Sequence, residues 1–152
     1  NESPDTQIVL RTLLEFGIND FVKEKEFSDC KDVGFLSFDI YFIYDEKEIL
    51  IECDDISHFD PNYRYRTVDE YHAGRRRDFI KNEYCVKTKK YLLRIYDKSK
   101  NIRNIIINYL KNIQHVFFVT YSDIECYIFH NFMHEYLEFL KKNNNILVSL
   151  TI

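Results

Sequence analysis

The chain has 152 residues, of which 45% are hydrophobic and 30% charged. That size and balance predict one soluble globular domain with a substantial core and exclude a disordered or fibrous chain. The net charge of −4 argues against a general nucleic-acid coat protein. No apolar run approaches the ~20 residues needed to span a membrane, and no signal peptide is recognisable. Only three glycines and two prolines stand against twelve tyrosines and thirteen phenylalanines, so long regular elements with few tight loops are expected.

In chain order, Ile8, Leu10, Leu13, Leu14 and Phe16 have helical spacing and predict a helix over Asp5–Phe16, stopped near Gly17. Asn19–Phe27 is charged, with an extended end. Strands follow at 35–43 and 48–54. Asp55–Gly74, which contains Pro61, lacks periodicity and reads as a long loop, and loops of that length are unusual unless functional. A helix is expected over Arg75–Lys87 with Phe79, Ile80 and Tyr84 inward, then a short strand, Tyr91–Tyr96. Ser99 is placed to cap a helix bearing Ile102, Ile105, Ile106, Tyr109 and Leu110. His115–Thr120 reads as a buried strand, Ser122 and Glu125 as a capping box opening a helix to Lys142, and Ile146–Ile152 as a terminal strand. This order predicts an α/β fold, a mixed β-sheet core flanked by helices, in a single domain over 1–152. Residues 111–152 could be a C-terminal elaboration. The aromatic residues of the last helix read as core, or as a homodimer interface.

The chemistry concentrates between Phe35 and His58. Leu36, Phe38, Ile40 and Phe42 alternate to one face of the first strand; on the second, Leu50, Glu52 and Asp54 share a face opposite Ile49, Ile51 and Cys53. If Asp45-Glu46 is the turn, pairing Tyr44 with Lys47 sets Asp39 opposite Glu52, with Cβ atoms roughly 5 Å apart. Two carboxylates that close repel unless a positive charge intervenes, and a divalent cation with hard oxygen ligands, Mg²⁺ or Mn²⁺, would serve. A solvated acidic face is the alternative, opposed by the apolar run Ile49-Leu50-Ile51 around Glu52, which predicts a strand covered on both sides. The cysteines, Cys30, Cys53, Cys85 and Cys126, match no zinc spacing and read as reduced thiols, although Cys53, His58 and Cys85 could together bind zinc.

Charge is unevenly distributed. Between Pro61 and Lys100 twelve Lys/Arg stand against five Asp/Glu. Arg64, Arg66, Arg75, Arg76, Arg77 and Lys81 are interleaved with Tyr63, Tyr65 and Tyr71, a mixture that can hold phosphates and stack on bases, or simply form a solvated helix face.

The succession FDIYF, IECDDISHF, RRDFIKNEYC, YLLRI resembles the PD-(D/E)XK nuclease superfamily, in its restriction-endonuclease-like and very-short-patch-repair-like branch of bacteria, phages and large DNA viruses. The resemblance covers roughly Glu24–Ile95 and rests on several blocks in order. It implies a restriction-endonuclease-like sheet and a metal-dependent endonuclease acting on nucleic acid, DNA in preference to RNA. It implies catalytic roles for Asp39, Glu52, Asp54, His58 and Lys81, and metal ligation by Asp39, Glu52 and the Cys53 carbonyl. Lys81 would bring the positive charge that the strand position held by Asp54 supplies as lysine in the wider superfamily. Arg64, Arg66, Arg75, Arg76, Arg77 and Lys81 would contact nucleic acid. Positions 55, 57 and 7 carry Asp, Ser and Gln where that branch has Gly, Gln and often Glu. No membrane partner is implied, and the location is intracellular: cytoplasm, or the host cytoplasm or nucleus for a viral chain. The alternative is a catalytically inactive module of the same fold that binds nucleic acid or a protein.

Overall fold

A computed structural model describes residues 2–58, 67–96 and 101–122 and the backbone of 146–147. Helix α1, Pro4–Glu15, starts where Ser3 accepts the Thr6 N–H and Pro4 occupies the first turn. It ends at Gly17, whose φ of +89° lets the Ile18 N–H return to the Leu13 carbonyl at 2.8 Å. Strand β1, Phe21–Lys31, is longer than the charged, partly extended stretch expected from sequence. Its Lys-Glu-Lys-Glu run is hard to recognise as a strand because β1 is an edge strand, where charge blocks pairing with another chain.

Strands β2, Phe35–Tyr44, and β3, Lys47–Asp54, form the expected hairpin. Asp45 and Glu46 both take positive φ, 51° and 61°, the conformation of a two-residue turn that matches strand twist. The register is the expected one from Tyr44↔Lys47 to Ile40↔Ile51. The face assignment of β2 differs from expectation. Ile40 and Phe42 pack with Ile49, Ile51 and α1, whereas Leu36 and Phe38 join a second core with Leu50. The strand changes sides at Asp39, next to a kink in β1 where Glu24 has φ +52°.

The stretch read as a loop to Gly74 is helical from Val68. Helix α2 runs Val68–Thr88, because Thr67 and Glu70 make a reciprocal capping box with both bonds at 3.0 Å. Phe79 is 38% exposed rather than inward, while Tyr84 and Cys85 are buried. The helix closes with Lys89 in the left-handed region, and β4, Tyr91–Tyr96, runs parallel to β3. Helix α3, Ile102–Lys111, packs its isoleucines on α1. Strand β5 is shorter than expected, Val119–Tyr121, since His115 ends a 3₁₀ turn over Ile113–His115; β6, Ile146–Leu147, follows. Ser99 and the expected helix to Lys142 lie outside the described residues.

The result is a mixed six-stranded sheet in order β1-β2-β3-β4-β5-β6, antiparallel through β3 and parallel from β3 on. α1 and α3 cover one face and α2 the other, so β3 is central and covered on both sides. The start of β2 and the ends of β3 and β4 share one end of the sheet, and the acidic side chains singled out from the sequence, Asp39, Glu52 and Asp54, gather there. Among the described residues no helix is long and apolar enough to cross a membrane.

Candidate functional site

Past Ile40↔Ile51 the paired strands part, and side chains fill the gap. The Asp39 N–H donates to Glu52 Oε1 and the Cys53 N–H donates to Asp39 Oδ2, each at 2.8 Å. Asp39 and Glu52 therefore interlock through each other's strand instead of facing one another as a simple cross-strand pair. Glu52 is only 4% exposed and turns its other oxygen to Lys81 Nζ of α2 at 2.8 Å. This buried pair joins α2 to the hairpin. Burial, and then the Glu52 charge, push the Asp39 carboxyl up to about 7. The Lys81 ammonium is bonded to Glu52, and the oxygens of the two carboxylates are hard donors suited to a divalent cation. Asp39 also lines a cleft of about 370 Å³ with Ser3 and Thr6 at the start of α1.

A second group lies on the α2 side. Arg94 of β4 is 1% exposed; its Nη1 reaches both Asp54 oxygens, at 3.1 and 3.0 Å, its Nε donates to Asn82 Oδ1 at 2.7 Å and its Nη2 to the Asp78 carbonyl at 3.2 Å. Asn82 in turn donates to the Tyr121 hydroxyl at 2.8 Å. His58 Nδ1 is 2.7 Å from Asp78 Oδ2 and 3.7 Å from Asp54 Oδ1. Arg75 donates to the His58 carbonyl and lies 3.9 Å from Asp78. Burial disfavours the imidazolium, but Asp54 and Asp78 outweigh it and raise His58 to about 9. Burial likewise opposes ionisation of Asp78, yet Arg94 and His58 hold its carboxyl well below the usual range.

The ligand atoms of Asp54, His58 and Asp78 lie within 4.8 Å of one another, so this buried group could hold a metal ion. The electrostatics add a condition. Arg94, Arg75 and protonated His58 already outnumber the two carboxylates, and an incoming ion has to displace the His58 proton, since only neutral imidazole ligates.

Of the residues predicted from sequence, Asp39, Glu52 and Lys81 come together at the strand parting, and Asp54 and His58 in the adjoining network. Ser57, His58, Tyr71, Arg77 and Lys81 line a cleft of about 230 Å³ on the α2 side. Arg77 is exposed there and makes no ion pair among the described residues. Arg76 is exposed and pairs with Asp32 at 3.1 Å. Arg75, expected among the surface contacts, is instead 3% exposed and spent on the network, because its position in α2 faces the sheet. Arg64 and Arg66 lie outside the described residues. A zinc site from Cys53, His58 and Cys85 does not form: Cys53 packs against the α1 face and Cys85 lies in the core under α2, on opposite sides of the sheet. Gln7 is exposed, its amide bonded to the Glu2 carbonyl. Sequence reasoning missed Arg94 as a site residue. The available signal was a lone arginine inside the apolar run YLLRI, since a charge buried there must find partners. Compared with known proteins, the chain matches no family model, no curated protein and no solved structure.

Proposed function

We propose that the chain is a metal-dependent nuclease of the PD-(D/E)XK kind that hydrolyses phosphodiester bonds of nucleic acid, DNA in preference to RNA. The observation that carries this reading is the convergence of Asp39, Glu52 and Lys81 where β2 and β3 part. Asp39, Glu52 and the Cys53 carbonyl would hold Mg²⁺ or Mn²⁺, which when bound lowers the pKa of a water and polarises a phosphate. Lys81, oriented by Glu52, stabilises the negative charge that develops on phosphoryl oxygens. His58 lines the neighbouring cleft and can donate to a phosphate oxygen. Arg77 and Arg76 hold the backbone, which adds affinity without sequence information. Asp54 serves by anchoring Arg94, which keeps β3, β4 and α2 in register around the site.

The test is cleavage of a panel of DNA and RNA substrates with Mn²⁺ or Mg²⁺ against EDTA, with thermal melts in the same buffers. The expected result is metal-dependent cutting and metal-dependent stabilisation, both absent from Asp39→Asn/Glu52→Gln. Full activity in that variant would refute the assignment.

A specific observation favours a second reading. Lys81 already neutralises Glu52 and Arg94 already neutralises Asp54, which is how an inactive scaffold would settle its inherited carboxylates. That scaffold binds nucleic acid or a protein, and neither metal nor EDTA alters its melting.

A further inference from the structure

The β1–β2 hairpin ends in a tip, Lys31-Asp32-Val33-Gly34-Phe35, whose apolar side chains belong to neither core. Val33 is 96% exposed and Phe35 57%. Scattered apolar side chains are ordinary on a protein surface, but three observations set these two apart.

The tip is braced. The Asp32 N–H closes the turn on the Gly34 carbonyl at 3.0 Å, Arg76 of α2 holds Asp32, and the Tyr84 hydroxyl of α2 holds Asp29 at 2.9 Å. The two side chains are thus presented on an ordered support, and little conformational entropy is lost when they engage something. The tip also stands at the site's own edge. β2 is antiparallel to β3, so Phe35 lies at the edge where β3 ends in Asp54. Phe35 precedes Asp39 by four residues of one strand, about 14 Å at roughly 3.4 Å per residue. Finally, a cation lies beside it: the Lys31 ammonium is 5.9 Å from the Phe35 ring centroid.

An exposed aromatic ring beside an ammonium that can meet a phosphate is the chemistry that takes up unpaired bases. A protein partner fits less well, because a stable interface needs about 800 Å² per side and two tip side chains supply a small part of that. Resting on the nuclease reading for the position of the scissile phosphate, we infer that Val33 and Phe35 pack on exposed bases near that phosphate. The tip thereby selects nucleic acid with unpaired bases, such as flaps, overhangs and gaps, over intact duplex, whose base faces are already covered by their neighbours.

The experiment is binding of the full chain in EDTA, where nothing is cut, to labelled single-stranded, flapped and blunt duplex oligonucleotides. A 2-aminopurine is placed in the unpaired stretch to report stacking. The wild type is expected to prefer the unpaired substrates and to change the 2-aminopurine fluorescence. Val33→Ser/Phe35→Ala should lose at least about tenfold in affinity for them, lose the fluorescence change, bind blunt duplex as before, and melt at the wild-type temperature. Phe35→Tyr should keep both signals. Equal affinity of the double variant for unpaired substrates overturns the inference. So does a wild-type preference for blunt duplex, absence of nucleic-acid binding, or a double variant whose only defect is self-association. Cleavage with Mn²⁺, run in parallel, separates this from the nuclease reading. Tip-dependent stacking without cleavage overturns the nuclease alone, and cleavage with tip-independent binding overturns the tip alone.

Discussion

Arg94→Met keeps most of the side-chain volume at position 94 and removes its charge from a place that is 1% exposed. Asp54 loses the cation that reaches both its oxygens, and among the described residues His58 remains at 3.7 Å. Asp78 retains His58 and Arg75. Removing one partner of a buried ion pair costs about 3–5 kcal/mol, and the lost bond to Asn82 adds about 1 kcal/mol. Because Asp78 stays partnered, the expected loss is about 4 kcal/mol in total, a large part of the roughly 5–15 kcal/mol available to a domain. With a urea dependence of about 2 kcal/mol per molar, the unfolding midpoint at pH 7 should fall by about 2 M, read by far-UV circular dichroism. Adding Asp54→Asn to Arg94→Met removes the orphaned carboxylate and should restore at least about 1 kcal/mol, a coupling the double-mutant cycle isolates. Mn²⁺ should stabilise Arg94→Met more than the wild type if Asp54, His58 and Asp78 are able to take an ion once Arg94 no longer competes. A wild-type midpoint for Arg94→Met, with no recovery from Asp54→Asn, would refute the view that a buried charge network holds β3, β4 and α2 together.

The remaining expectations concern single groups. The folded chain holds the His58 proton more tightly than the unfolded chain, with values of about 9 against 6.5. Its contribution, on the order of 3 kcal/mol at most, is therefore complete below about pH 6.5 and gone above about pH 9; denaturant melts of wild type and His58→Gln across that range should converge at the alkaline end. Asp39 behaves in the opposite sense: with its carboxyl raised from 3.8 to about 7, the wild type loses stability as pH rises through that window. Asp39→Asn in EDTA should then melt higher than wild type at pH 8 while losing its response to Mn²⁺; a lower melt would show that the carboxylate is structural. Thr67→Ala removes one half of the capping box and should cost about 1 kcal/mol in a urea titration, with no cost if α2 starts elsewhere.

Much of the framework was legible because it is local. Alternation in Phe35–Asp54, together with the short turn, set the hairpin register, and helical spacing ending at Gly17 marked α1. The apolar run around Glu52 announced a strand covered on both faces, and β3 is one. Where local signals conflicted with context, the reading failed. The charged run of β1 conceals a strand because an edge needs charge on display, and Gly74 hid the first turns of a helix whose start at Thr67–Glu70 is a capping box spelled out in the residues. The pairing of Asp39 and Glu52 was half readable: register brought them to one level, but their interlocking depends on two strands parting beyond Ile51, which no periodicity encodes. Tertiary structure alone determined that Lys81 meets Glu52 across 29 positions and that Arg94 gathers Asp54, Asn82 and Asp78 in one buried place. The physical reason is that a buried charge is specified by the partners that satisfy it. Those partners lie on β3, β4 and α2, which are separate in sequence and become neighbours only when the sheet and its covering helix assemble.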